Sequence, residues 1–282
     1  MNFCIEEILK SAERQLALCS DSPRLDAEIL LAFILKKNRS YFHAFPEVVP
    51  DDADQQQFER LLSQRLEGHP IAHLTGSREF WSLDLTVNHH TLIPRPDTEL
   101  LIEFVLQQFT QQALKVADLG TGSGAIALAL ASEKPDWEIT ATDQSDAALK
   151  VAQANAKKLE LNNVRFHQGS WFQPLTENNY DLIISNPPYI PANDPHLTRG
   201  DVRFEPDSAL VSGKDGLDDI RQLITIAPDY LTNNGWLILE HGYDQKQEIK
   251  ALFEAASYQQ IIQKDDYAGN PRMTAGQKPK KH

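Results

Sequence analysis

In "DLIISNPPYIP", residues 181–191, an apolar run that reads as a buried strand meets Asn186-Pro187-Pro188-Tyr189, where neither strand nor helix can continue. Proline disfavours helix for the residue before it and lacks an N–H, so Asn186, Pro187 and Pro188 are expected to be extended and stiff. The Asn186 side-chain oxygen and the Pro187 carbonyl then form two fixed acceptors, and the group that suits them is an NH2 with two donors. Tyr189 offers a flat face that can stack on a planar amide or base. This set suits chemistry on a planar nitrogen whose lone pair is delocalised. Fixing both hydrogens turns that lone pair towards an electrophile and favours the more pyramidal transition state. No strong base need act first, because the proton becomes acidic only after alkylation, and no His–Asp or paired-carboxylate set lies near the motif. The alternative is a rigid loop around a buried Asn.

A second motif precedes this one. In "ADLGTGSGAIALAL", Gly120, Gly122 and Gly124 permit tight turns and let backbone N–H groups approach a ligand at a helix N-terminus. The third glycine comes one residue earlier than in the dinucleotide fingerprint, which disfavours a NAD-dependent dehydrogenase. Asp143 follows about twenty residues after the loop, where a carboxylate can accept two hydrogen bonds from a ribose diol. Close helix–strand packing, or a solvated Asp at a helix N-cap, would also explain these residues singly. Jointly they favour an adenosine-containing cofactor.

The elements that must carry these motifs alternate. "ALKVADLG", "WEITATD", "VRFHQGS", "YDLIISN" and "GWLILEHG" read as strands, with "GAIALALAS" and "SDAALKVAQANAKKL" as helices between them. That alternation predicts an α/β fold with a doubly wound, mostly parallel sheet, in which ligands bind beyond the carboxyl ends of the strands. "YQQIIQKDD" and "PRMTAGQ" are expected to pair antiparallel at one edge. Residues 1–76 read as an all-helical domain. Ile5, Ile8, Leu9, Ala12 and Leu16 share one face, and Pro23 opens a central helix after Ser22. Phe58, Leu61, Leu62 and Leu66 repeat the helical period before Gly68 and Pro70 stop it. Residues 77–96 read as a β-hairpin connector through Phe80, Leu83, Leu85 and Val87, and 97–282 as the catalytic domain. The basic tail "KPKKH" is expected to be frayed.

Composition sets limits. The 282 residues are 41% hydrophobic and 24% charged, with a formal net charge of −13, so a basic face for gripping nucleic acid is not expected. The helical region carries eight Lys/Arg against twelve Asp/Glu. No apolar run approaches the roughly 20 residues that span a membrane, and "MNFCIEEILKSAERQL" is not a signal peptide. Cys4 and Cys19, about 20 Å apart on a continuous helix, are expected to be free thiols in a cytoplasmic protein. No Cys/His cluster has metal-ligand spacing, so no metal is expected.

"DLGTGSG", Asp143 and "NPPY" together resemble class I (Rossmann-like) methyltransferases that use S-adenosyl-L-methionine on planar amino or amide nitrogens. With "HPIAHLTG", "REFWSLDLTV", "LIPRPDTE", "SNPPYIP", "GDVRFEP" and "LEHG", the chain is similar over nearly its whole length to the bacterial HemK/PrmC family. These are protein-glutamine methyltransferases that modify the Gly-Gly-Gln glutamine of class 1 peptide-chain release factors. The resemblance implies Gly120, Thr121, Gly122, Ser123 and Gly124 as the cofactor loop and Asp143 as the ribose ligand. It implies that Trp171 flanks the adenine and that Asn186 touches both methionine end and substrate. Asn186, Pro187, Pro188 and Tyr189 match the glutamine-binding tip, with Asn186, Pro187 and Tyr189 in catalytic roles. Arg95, Pro96 and Glu99 match a motif covering the cofactor site, although a helix N-terminus explains Asp97 and Glu99 as well. Phe204, Glu205 and Pro206 either shape the substrate entrance or pack. Many relatives carry an acid immediately before the tryptophan, where this chain has Ser170, a weaker acceptor for an adenine amino group.

Three functions follow. One is methylation of a protein glutamine, on a release factor or, as in a sister family, a ribosomal protein. The second is methylation of an adenine amine in nucleic acid, which presents the same two donors but calls for a basic groove that this acidic chain does not promise. The third is a non-catalytic cofactor-binding module, against which the intact loop, acid and tip argue. The implied helical domain docks the release factor, with no membrane and no direct nucleic-acid contact.

Overall fold

The computed structural model describes residues 3–198 and 200–279, and it divides into two compact units. The first holds residues up to Ser77 together with Thr198–Phe204, and the second holds Arg78–Leu197 and the chain from Glu205 onward.

In the first unit, α1 (Ile5–Leu16), α2 (Pro23–Leu35), α3 (Arg39–Ala44), α4 (Asp52–Leu66) and α5 (Ile71–Thr75) enclose one apolar cluster. The five α1 residues expected on one face are all buried. Helix α1 stops at Leu16, so Cys4 is its N-cap and Cys19 lies beyond it; both are free thiols. Pro23 does open α2, which packs against α1, α4 and α5 and is central to the unit. The face of α4 departs from expectation at its end. Leu66 is 38% exposed, while Arg65 is buried. The Arg65 guanidinium donates to Asp26 Oδ2 at 2.8 Å, to Asp201 Oδ1 at 3.1 Å and to the His69 carbonyl at 3.1 Å. Those bonds offset the desolvation of the charge, and they tie the Gly200–Phe204 turn to the helices. Helices α3 and α5 escaped the sequence reading because each is barely a turn or two long, too short for periodicity to show.

The second unit opens with a hairpin of β1 (Ser77–Phe80) and β2 (Leu83–Thr86). Trp81 and Ser82 both have positive φ, 50° and 60°, the mirror-image turn that suits a two-residue hairpin. Phe80 and Leu85 are buried in the same cluster as α6 (Glu99–Gln108) and α7 (Ala125–Glu133). Burying two such side chains stabilises by about 1.5–3 kcal/mol each, and it makes the hairpin part of the core of this unit.

The sheet comprises β3 (Lys115–Leu119), β4 (Glu138–Asp143), β5 (Val164–Gln168), β6 (Tyr180–Ser185), β7 (Leu231–Glu240), β8 (Gln259–Asp265) and β9 (Pro271–Gln277) in the order 5-4-3-6-7-9-8. The first five of these in the order are parallel, β9 is antiparallel to β7, and β8 is antiparallel to β9 at the edge, as the sequence predicts. Successive strand residues point to opposite faces. Leu182, Ile184, Trp236 and Ile238 enter the cluster with α6 and α7. Ile183, Leu237 and Leu239 enter the cluster with α9 (Asp218–Tyr230) and α10 (Lys246–Ala255). Helix α8 (Asp146–Lys158) connects β4 to β5. Strand order reverses between β3 and β6, so a crevice opens at their carboxyl ends.

Of the tail "KPKKH", residues 280–282 lie outside the described residues. Its first residue, Lys278, is 7% exposed and donates to the Leu231 carbonyl, so it is anchored instead of frayed. Among the described residues no helix is long and apolar enough to cross a membrane.

Candidate active site at the strand switch point

A cavity lies at that reversal. Gly120, Gly122, Asp143, Ser170, Trp171, Asn186, Pro188 and Pro206 line it, with His89, His90 and Thr91 at one side. Residues from the three predicted motifs therefore converge although 66 positions separate Gly120 from Asn186 in the chain.

The loop after β3 is shaped by backbone. The Gly120 and Thr121 N–H groups both donate to the Thr142 carbonyl at 2.9 Å, which ties the loop to the end of β4. Gly120 has φ +75°, and a Cβ there would stand 3.2 Å from the Trp171 ring. Gly122 has φ +57°, and a Cβ there would meet nothing within 4 Å, because the backbone faces the open cavity. Thr121 and Ser123 are buried and turn inward. Behind the loop, Asn155 donates to the Ser123 carbonyl at 2.9 Å and exchanges hydrogen bonds with the Thr86 backbone, so α8 and the hairpin brace it together.

Two carboxylates sit under the loop. Asp143 accepts from Gly122 N–H at 2.9 Å and from Ser145 N–H at 2.8 Å, one bond to each oxygen, which leaves further lone pairs for a diol in the cavity. Burial raises its pKa above the ordinary carboxylate value. Asp118 is fully buried. Its Oδ2 accepts from the Thr121 hydroxyl at 2.6 Å and from Ala127 N–H at 3.1 Å, while Oδ1 is buried with no hydrogen-bond partner. Burial, with a smaller push from the Asp143 charge, brings its pKa up to about 7. Among the described residues Asp143 lines the cavity and no Lys or Arg does, a setting that does not oppose a cationic ligand bearing a ribose.

Trp171 has φ +48° and donates its indole N–H to Asp219 at 3.2 Å, which holds the ring against the loop. Ser170 lines the cavity beside it.

The tip leaves β6 where the Ser185 hydroxyl donates to the Leu119 carbonyl at 2.6 Å, locking the ends of β6 and β3 together. Asn186 lines the cavity and donates from Nδ2 to Thr98 Oγ1 at 3.2 Å, so its Oδ1 is the part left for a ligand. Among the described residues none donates to the Pro187 carbonyl. Pro187 and Pro188 are buried, and Pro188 also faces the cavity. Tyr189 is not in the cavity wall. Its hydroxyl donates to Glu240 Oε1 at 3.2 Å, and burial with the Glu240 charge raises its pKa, so it stays protonated.

The remaining motif residues scatter. Arg95 pairs with the buried Glu205 at 2.6 Å, and Glu205 also accepts from Ile93 N–H at 2.9 Å. Pro96 begins the Pro96–Thr98 turn, and Glu99 accepts from Trp81 N–H at 2.8 Å. None of Arg95, Pro96, Asp97 or Glu99 lines the cavity. Phe204 belongs to the helical unit, where its ring lies 4.3 Å from that of His69, whereas Pro206 lines the cavity.

Sequence reading missed Thr98, Asp219 and Glu240. A signal existed for Glu240: it ends the strand "GWLILE" as Asp143 ends "EITATD", an acid closing an apolar run at the ligand-facing edge of a parallel sheet.

Residues 96–199 match the family model described as the methyltransferase small domain, and residues 7–76 match the PrmC N-terminal domain. The chain is 48% identical over 279 residues to a release factor glutamine methyltransferase of Aliivibrio fischeri, covering 98% of each. It is 51% identical over 257 residues to one of Salmonella typhimurium, covering 91% of this chain and 93% of the relative. Among solved structures, a Pyrococcus furiosus methyltransferase superposes with a TM-score of 0.54 at 19% identity, over 78% of this chain and 99% of that one, a likeness of fold.

Proposed function

The chain belongs to the release factor glutamine methyltransferase family, and from that membership we propose that it methylates the side-chain amide nitrogen of the Gly-Gly-Gln glutamine in class 1 release factors. S-adenosyl-L-methionine is the methyl donor, and when bound it supplies an electrophilic methyl group on a sulfonium centre. The residues present fit that cofactor: a backbone cradle open at Gly122, Asp143 with lone pairs to spare for the ribose, and the Trp171 ring at the cavity wall. Gly120–Gly124 would cradle it, and Ser170 would offer a hydroxyl where relatives have an acid.

Asn186 Oδ1 accepts one hydrogen of the substrate amide and the Pro187 carbonyl accepts the other. Holding both hydrogens turns the nitrogen lone pair into the cavity and favours the pyramidal geometry of the transition state. Pro187 and Pro188 keep the two acceptors from relaxing away. Tyr189 anchors the tip from behind through its hydroxyl. The helical unit recognises the release factor protein. The observation that carries this reading is the Asn186 amide, which lines the cavity and is held on its nitrogen side by Thr98, leaving its oxygen for a ligand.

The test offers labelled cofactor to a release factor, to the same factor with the Gly-Gly-Gln glutamine changed to alanine, and to DNA. Label should enter only the unchanged factor. Transfer to DNA, or undiminished transfer to the altered factor, would reject the reading.

A further inference from the structure

Trp171 is half-buried at the wall of the cavity, and its indole spans from the glycine loop to α9. A Cβ at Gly120 would stand 3.2 Å from Cζ3 and 3.6 Å from Cη2, so the benzo edge of the ring lies against the loop. The other edge carries the N–H, which donates to Asp219 Oδ1 at 3.2 Å. Trp171 has φ +48°, a left-handed conformation that a residue other than glycine keeps only where its surroundings hold it. The Thr142 hydroxyl holds the main chain by donating to the Trp171 carbonyl at 3.3 Å, and Asp219 is left to fix the ring. The carboxylate is itself fixed. Ser212 is buried, its hydroxyl donates to Asp219 Oδ2 at 2.7 Å, and Asp219 N–H donates back to Ser212 Oγ at 2.9 Å. Ser212 N–H in turn donates to the Ile190 carbonyl at 3.0 Å, so the support of the ring is joined to the segment that leaves the Asn-Pro-Pro-Tyr tip.

We propose that Asp219 is a positioning residue for cofactor binding: it selects the direction of the Trp171 indole, and Ser212 selects the direction of Asp219. The inference rests on the reading that Trp171 flanks the adenine. An indole has its one donor on one edge, and its side chain has two broad settings about the Cβ–Cγ bond. Turned over, the ring would carry its N–H away from Asp219. The acceptor therefore picks the setting that lays the benzo edge on Gly120. A wall already held in its bound direction costs little ordering when the ligand arrives. Asp219 and Ser212 are not in the cavity wall, so their effect on affinity passes through Trp171.

Calorimetry with S-adenosyl-L-methionine on the full chain tests this. Asp219→Ala should raise the cofactor Kd roughly 5- to 30-fold, within the range that one hydrogen bond is worth. Asp219→Asn keeps an oxygen for the indole N–H and should stay within about twofold of wild type. Trp171→Phe removes the N–H, and in that background Asp219→Ala should add less than about twofold. An Asp219→Ala Kd within about twofold of wild type, or an Asn variant as weak as the Ala variant, would overturn the proposal. So would an equal Asp219→Ala penalty with and without the N–H, because Asp219 would then act through α9 and not through the ring. Trp171→Ala tests the underlying reading separately. A large rise in Kd there beside an unchanged Asp219→Ala value rejects the positioning role alone. Wild-type affinity in Trp171→Ala rejects the reading that the ring flanks the adenine, and the proposal with it.

Discussion

The glycine loop and the Asn-Pro-Pro-Tyr tip stand at the ends of adjacent strands and line one cavity, yet they are held by different means. The loop is fixed by its own backbone: positive φ at Gly120 and Gly122, and N–H groups bonded to the Thr142 carbonyl and to Asp143. The tip is stiff in its main chain because of two prolines, but the direction of its side chains is set from elsewhere. Asn186 depends on Thr98, 88 residues away, and Tyr189 on Glu240, 51 residues away. A cradle for a flexible cofactor needs close approach, which backbone supplies. Orienting one NH2 needs a defined direction of donors and acceptors, which demands a network.

That contrast predicts that tip and loop variants fail in separable ways. The largest effect belongs to Asn186→Ala, which should lower kcat roughly 100- to 1000-fold, the scale of losing one transition-state hydrogen bond. Cofactor affinity, measured by calorimetry, should weaken only modestly. A variant that loses affinity and rate together would erase the distinction. Next comes Asp143→Ala, expected to weaken cofactor Kd by roughly 10- to 100-fold through lost charge-assisted bonds. Its kcat at saturating cofactor should stay within a few-fold of wild type.

The smallest effect concerns the free protein and sharpens the account of the loop. Burial raises the Asp118 pKa from its ordinary 3.8 to about 7. The folded state therefore binds a proton that the unfolded chain has released, so this group contributes stability below about pH 4 that is lost as pH rises towards 7. Asp118→Asn keeps the shape and has nothing to titrate. Its melting temperature should vary less with pH across that window than that of the wild type. Equal slopes in the two proteins would show that Asp118 is ionised in the fold.

Much of this was legible before any coordinates. The alternation of apolar runs yields the parallel strands, the glycine pattern yields the loop, and the acid closing "WEITATD" yields Asp143. Each signal works because the cause lies within a few residues. Glu205 shows the limit: its motif was visible, but its partners Ile93 and Arg95 lie more than a hundred positions back. Arg65 and Leu66 show it again, since helical periodicity would bury the leucine. The carboxylates of Asp26 and Asp201 bury the arginine instead.

What the chain determined by itself is local conformation: where glycine permits left-handed backbone, where paired prolines hold it extended, and which residues alternate into a sheet. Steric limits on φ and ψ and the two- and 3.6-residue periods act over short spans and need no partner. Tertiary structure alone decided which way the Asn186 amide stands, that Glu240 receives the Tyr189 hydroxyl, and that the Gly200–Phe204 turn packs with the helical unit. A hydrogen bond has direction, and the groups that complete it arrive from distant segments only when the chain is folded.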